Sequence, residues 1–226
     1  MAPLSRARDV DCVARAVRTS APAHYIPHNK ATRVPRSFIY LDTEAHRQEV
    51  DRGEVQTFRL ACAAHERRRG NRGDYTDRTD GTFYTTRDLW AWVADRCPAR
   101  ARTVLVAHNL AYDLRIGNAF AEMFALGWRL TDIRIDRGSA FARFADGKRS
   151  LVCVDSLSWV PIGLEKLGAM VGIRKLDLPA WDDTDDAWRA RCERDVAILG
   201  EVWRRLMSWV VEADLGNWKP TGAGQA

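Results

Sequence analysis

The chain has 226 residues, with 35 Lys and Arg against 30 Asp and Glu and a net charge of +5. That length suits one large α/β domain, or a domain with a tail, and allows a sizeable core. Five scattered cysteines (Cys12, Cys62, Cys97, Cys153 and Cys192) without C-x-x-C spacing exclude a disulfide framework and a structural zinc site. No apolar run approaches the roughly 20 residues that span a bilayer, and the N-terminus lacks a signal-peptide core, so a soluble cytoplasmic protein with no membrane partner is expected. Arg supplies nearly all the positive charge, which fits a polyanionic partner and equally a bias of codon usage.

Residues 1–36 carry Pro3, Pro22, Pro27 and Pro35 among mostly basic charges and read as an irregular basic arm, with a short helix near Val10–Val17. A first strand is predicted over Phe38–Thr43 and a second over Gln56–Ala63. The polar, Arg- and Gly-rich stretch from Ala64 to Gly81 reads as an exposed loop. Thr82–Thr85 makes a short third strand, and Thr86 looks like the N-cap of a helix bearing Leu89, Trp90, Val93 and Cys97 at helical spacing. A buried strand over Thr103–Ala107 leads into one helix from Leu110 to Leu126. Strands over Trp128–Ile135, Ala140–Phe144 and Leu151–Asp155 follow, then a helix opened by Pro161 that runs through Val171. A long helix from Asp185 to Ala213 closes the pattern, ended by Gly216. Strands first, then strands alternating with helices, imply an α/β fold with a mixed sheet flanked by helices.

Three places in this order carry chemistry. In the first strand Asp42 and Glu44 project to one face about 7 Å apart, where they repel each other unless a cation lies near. The next is His108-Asn109-Leu110-Ala111-Tyr112-Asp113, a polar turn at the carboxyl edge of a buried strand, the edge where open α/β sheets bind ligands. In the long helix Trp188, Cys192, Leu199, Val202 and Leu206 define an apolar face, and Asp195 falls in the same series. A buried carboxylate there needs compensation, either a metal or an ion pair with Arg191 or Arg194. Oxygen-only ligands suit Mg2+ or Mn2+ rather than zinc.

With Asp42-Thr43-Glu44, the His108–Asp113 segment and Arg191-Cys192-Glu193-Arg194-Asp195, the chain resembles the DEDD exonuclease superfamily from about Pro35 to Ala226. In particular it resembles the proofreading domains of protein-primed family B DNA polymerases. The resemblance implies a ribonuclease-H-like domain over 37–214, with 215–226 a tail or the start of a polymerase portion. It further implies two divalent cations, Mg2+ or Mn2+, held by Asp42, Glu44, Asp113 and Asp195, and 3′→5′ hydrolysis of a single strand, DNA rather than RNA. By the same resemblance His108, Asn109, Tyr112, Ser156 and Leu157 hold the 3′ end of the strand, and Lys175 orients the scissile phosphate. The family places a Tyr four residues before the last Asp, or a His five before. Here those places hold Arg191 and Ala190, so slower chemistry is expected, with Arg191 clamping the phosphate or displacing metal. The alternative is a catalytically impaired nucleic-acid-binding or docking domain of a larger replication protein.

Overall fold

Seven strands form one mixed sheet in a computed structural model that describes residues 29–69, 75–136 and 139–225. The expected helix near Val10–Val17 lies outside those residues, as do residues 70–74 of the expected loop. The strands are β1 (Ser37–Val50), β2 (Gly53–Arg68), β3 (Tyr75–Phe83), β4 (Arg102–Ala107), β5 (Arg129–Asp136), β6 (Ser139–Ala145) and β7 (Ser150–Asp155), in the order β3-β2-β1-β4-β7-β6-β5. Strands β1, β4 and β7 run parallel in the centre, and the flanking pairs are antiparallel. Central parallel strands are covered on both faces, which is why Phe38 to Leu41 and Val104 to Ala107 are unbroken apolar runs.

Among the described residues the α-helices are α1 (Thr86–Asp95), α2 (Leu110–Ile116), α3 (Ala119–Ala125), α4 (Leu164–Val171), α5 (Asp185–Glu212) and α6 (Gly222–Gln225). Side-chain alternation along β1 divides the core in two. Phe38 and Tyr40 pack with Leu164, Trp188, Cys192, Leu199 and Trp203 of α4 and α5, whereas Ile39 and Leu41 pack with Leu89, Trp90, Leu110, Leu114 and Met123 of α1 to α3. The result is a ribonuclease-H-like α/β arrangement, a mixed sheet between two helical layers. Cys62, Cys97, Cys153 and Cys192 are free and buried. No helix among the described residues is long and apolar enough to cross a membrane.

Several elements differ from the sequence expectation. The stretch from Ala64 to Gly81 is largely strand: β2 continues to Arg68, and β3 returns from Tyr75. Ladder pairing on both sides of β2, with β1 and β3, outweighs the polar composition there. The helix expected over Leu110–Leu126 is two helices broken at Gly117 and Asn118. Trp90 Nε1 donates to the Gly117 carbonyl at 2.6 Å, taking the acceptor that would continue the helix, and Asn118 turns left-handed at φ 52°. Thr85, not Thr86, caps α1, its hydroxyl accepting from the Asp88 N–H at 3.1 Å. Helix α4 begins at Leu164, later than Pro161 suggested, and α5 ends at Glu212.

Candidate active site

The site is assembled where β1 and β4 end. Asp42 and Glu44 lie on the β1 face that meets α5, and a bulge follows at once between Glu44 and Ala45. Strand β4 stops at Ala107, and α2 brings Asp113 in its first turn back to β1. Asp113 Oδ1 accepts from the Thr43 N–H at 3.0 Å and the Thr43 hydroxyl at 2.8 Å, so the intervening residue of β1 locks α2 to the strand. From the other layer α5 supplies Asp195, 1% exposed, in the apolar series its spacing predicted. Cys192, one turn earlier, sets its Sγ 3.3 Å from the Asp42 carbonyl and holds α5 against β1.

The four acids line one cavity of about 250 Å³ together with His108, Tyr112, Lys175, Arg191 and the aromatic wall of Trp181 and Trp188. Buried oxygens on three of them, Asp42 Oδ2, Asp113 Oδ2 and Asp195 Oδ1, have no hydrogen-bond partner. Burial, followed by the charges of Asp195 and Glu44, pushes the Asp42 carboxyl well above its usual range. Burial and then Asp42 do the same to Asp113, despite the two bonds from Thr43. Glu44 is raised by burial while Arg191 pulls against the rise. Tyr112 is carried to about 12 by burial and by the acids around it.

Two cations answer this charge in part. Lys175 Nζ lies 2.5 Å from Asp195 Oδ2. Arg191 binds Glu44 through Nη1 and stands 3.8 Å from the same Asp195 oxygen through Nη2. The nearest cation to Asp195 is therefore Lys175, not the Arg191 or Arg194 of its own helix, and Arg194 faces solvent. As the side chains stand, no group of three or more His, Cys, Asp or Glu among the described residues is set up to hold a metal ion.

The other expected residues take different places. His108 lines the cavity with Nδ1 2.8 Å from the Ser156 hydroxyl, and burial lowers its pKa. Asn109 is exposed in a left-handed conformation at φ 71°, and neither it nor Ser156 nor Leu157 lines the cavity. Asp155 organises this corner. Its carboxylate accepts from the backbone N–H groups of Asn109 and Leu110, each at 3.1 Å, and of Leu157 at 2.9 Å. An acid ending a buried strand is the sequence signal for such a role. Leu178 and Trp181, shortly after Lys175, are further lining residues that sequence reasoning missed. A larger cavity of about 680 Å³ lies between β2, β3 and the second half of α5, where Glu66 is already paired with Arg78 and Arg204.

No protein-family model matches the chain, and no curated protein does. Solved structures do resemble it in fold. Phi29 DNA polymerase in a ternary complex with primer-template DNA and incoming nucleotides matches at 16% identity and a TM-score of 0.55, over 85% of this chain and 33% of that one. Phi29 DNA polymerase complexed with single-stranded DNA matches at 15% identity and a TM-score of 0.51, over 84% of this chain and 34% of that one. The chain thus spans about a third of the length of these polymerases, and at such identity the likeness is one of fold.

Proposed function

We propose that the chain is a metal-dependent exonuclease that hydrolyses phosphodiester bonds at the 3′ end of single-stranded DNA, with residues 37–214 as the nuclease domain. The observation that carries this reading is the meeting of Asp42, Glu44, Asp113 and Asp195 in one cavity, with partnerless buried oxygens on three of them. The order of the three motifs supports it, as does a fold shared with polymerases solved in complex with DNA.

The donor set fits a hard divalent cation such as Mg2+ or Mn2+. The unpartnered donors are carboxylate oxygens, and the one imidazole of the cavity is tied to Ser156. Asp42, Glu44, Asp113 and Asp195 would hold it. When bound, such an ion supplies Lewis acidity toward water and toward the phosphodiester. The chain's own groups do the rest. Lys175 offers an ammonium to a phosphate oxygen beside Asp195. Tyr112 keeps its proton at neutral pH and can donate to the strand or stack beneath a base. His108 stays neutral and is held in orientation by Ser156.

The seat of Arg191 on Glu44 favours a second reading, a nucleic-acid-binding or docking domain of a larger polymerase-like protein whose nuclease centre is impaired. A 5′-labelled single strand incubated with Mn2+ separates the two. A ladder of shortened products, absent with Asp42→Ala, is the expected result. Equal absence of products from wild type and variant rejects the nuclease reading in favour of the second.

A further inference from the structure

We propose that this site takes a single divalent cation and that the Arg191 guanidinium stands in the place of a second; the inference rests on the nuclease reading above. The four acids are not equally short of positive charge. Glu44 is engaged by Arg191, and one oxygen of Asp195 is shared between Lys175 at 2.5 Å and Arg191 at 3.8 Å. On the other side Asp42 Oδ2, Asp113 Oδ2 and Asp195 Oδ1 are buried and have no partner. The cluster divides into a half neutralised by side-chain cations and a half that is not.

Counting charge gives the same division. With all four ionised, as a bound cation requires, the carboxylates face one ammonium and one guanidinium in the cavity, which leaves two negative charges, the charge of one divalent ion. A second ion would have to displace Arg191 from Glu44, and a guanidinium keeps its proton in any accessible pH range.

Arg191 is placed to do more than fill space. Its Nε is buried and without a hydrogen-bond partner, so it retains a donor that Glu44 and Asp195 do not use. The residue also lines a neighbouring groove of about 530 Å³ whose walls carry Arg174 and Lys175 along with Glu165 and Asp177. A planar guanidinium shared between the acid cavity and this mixed-charge groove matches the oxygens of a phosphodiester lying across both. Arg191 is thus assigned as a phosphate-binding residue that supplies one of the two positive charges a second ion would bring.

Titration of the full chain with Mn2+ alone, by calorimetry and by electron paramagnetic resonance, tests this. Wild type is expected to bind one Mn2+ per chain and to show an uncoupled Mn2+ spectrum. Arg191→Ala is expected to bind two, with the broadening of a spin-coupled pair, whereas Arg191→Lys should keep the count at one. Near-ultraviolet circular dichroism, sensitive to the buried tryptophans, confirms that each variant is folded. Two ions on the wild type, or only one on folded Arg191→Ala, would overturn the inference and leave the nuclease reading standing. No Mn2+ bound by any of the three proteins overturns both.

Discussion

Lys175 Nζ lies 2.5 Å from Asp195 Oδ2, so the segment after α4 is pinned to the middle of α5 by one ion pair at the edge of the acid cavity. The acid is almost wholly buried and the lysine partly so. Removing the cation leaves a buried carboxylate with a weaker partner at 3.8 Å. Lys175→Met is expected to lower unfolding free energy by about 1.5–3 kcal/mol, the range for a hydrogen bond to a charged group, as read from urea denaturation in EDTA. On the proposed nuclease reading, turnover should fall about 100-fold, the scale of losing one charge-stabilising donor. Unchanged stability would show that the pair contributes nothing in solution.

The opposite sign is expected for Asp42→Asn. Asp42 carries a buried oxygen without a partner and faces Asp195, Glu44 and Asp113. Replacing it with a neutral amide removes repulsion and should raise stability in EDTA by about 0.5–2 kcal/mol, typical of a relieved functional residue. Wild type should in turn gain stability with Mn2+, by about 2.7 kcal/mol at a hundredfold excess over Kd, and the variant should not. Thermal melts with and without Mn2+ check both halves. A variant less stable than wild type in EDTA would mean that Asp42 has a compensating contact.

Gly168 marks where α4 comes closest to its surroundings. A Cβ there would meet the Ile173 carbonyl at 2.4 Å and Ile198 Cδ1 of α5 at 3.0 Å. The same Gly168 carbonyl accepts from the Ile173 N–H at 2.8 Å, which starts the segment that delivers Lys175. Because the obstacle is backbone rather than a flexible side chain, Gly168→Ala should cost about 1–3 kcal/mol as an overpacked contact. The proposed nuclease activity should drop with it as Lys175 is displaced. Equilibrium denaturation decides, and a neutral substitution would place the 172–175 segment further from α4.

His65 gives a pH signature away from the acids. Burial, with Arg96 and Arg67 adding, lowers its pKa from the usual 6.5 to about 4, and its Nε2 lies 3.0 Å from the Ser37 hydroxyl. Between those values the unfolded chain holds a proton that the folded chain refuses, so stability must fall as pH drops through that window. Above the unfolded value the contribution is fully present. Melting temperatures of wild type and His65→Gln from pH 7.5 to 4 should therefore converge as pH falls, at about 1.4 kcal/mol per pH unit at most. Parallel curves would exclude a buried neutral imidazole.

Much of the candidate site could be read from the chain because three of its four acids sit in two strongly periodic elements. Period-two alternation sends Asp42 and Glu44 to one face of β1, and three- and four-residue spacing puts Asp195 on the buried side of α5 among Cys192 and Leu199. The turn before Asp113 is legible because the unbroken apolar run Val104–Ala107 gives way to polar residues there. The Arg-rich stretch after Ala64 was misread because composition is a local property and strand pairing is not. Ala64 and His65 are strand since Tyr40 and Ile39 lie beside them in β1.

By itself, then, the sequence determined most of the strand and helix order that builds the mixed sheet and the faces on which Asp42, Glu44 and Asp195 lie, since both follow from side-chain periodicity along single elements. Only the tertiary structure decided which cation neutralises which carboxylate. Lys175 reaches Asp195 from another segment, Arg191 turns from its own helix to Glu44 on β1, and three carboxylate oxygens are left buried without partners. Those pairings depend on distances between elements, and a buried charge takes the nearest opposite charge in space, wherever the chain happens to carry it.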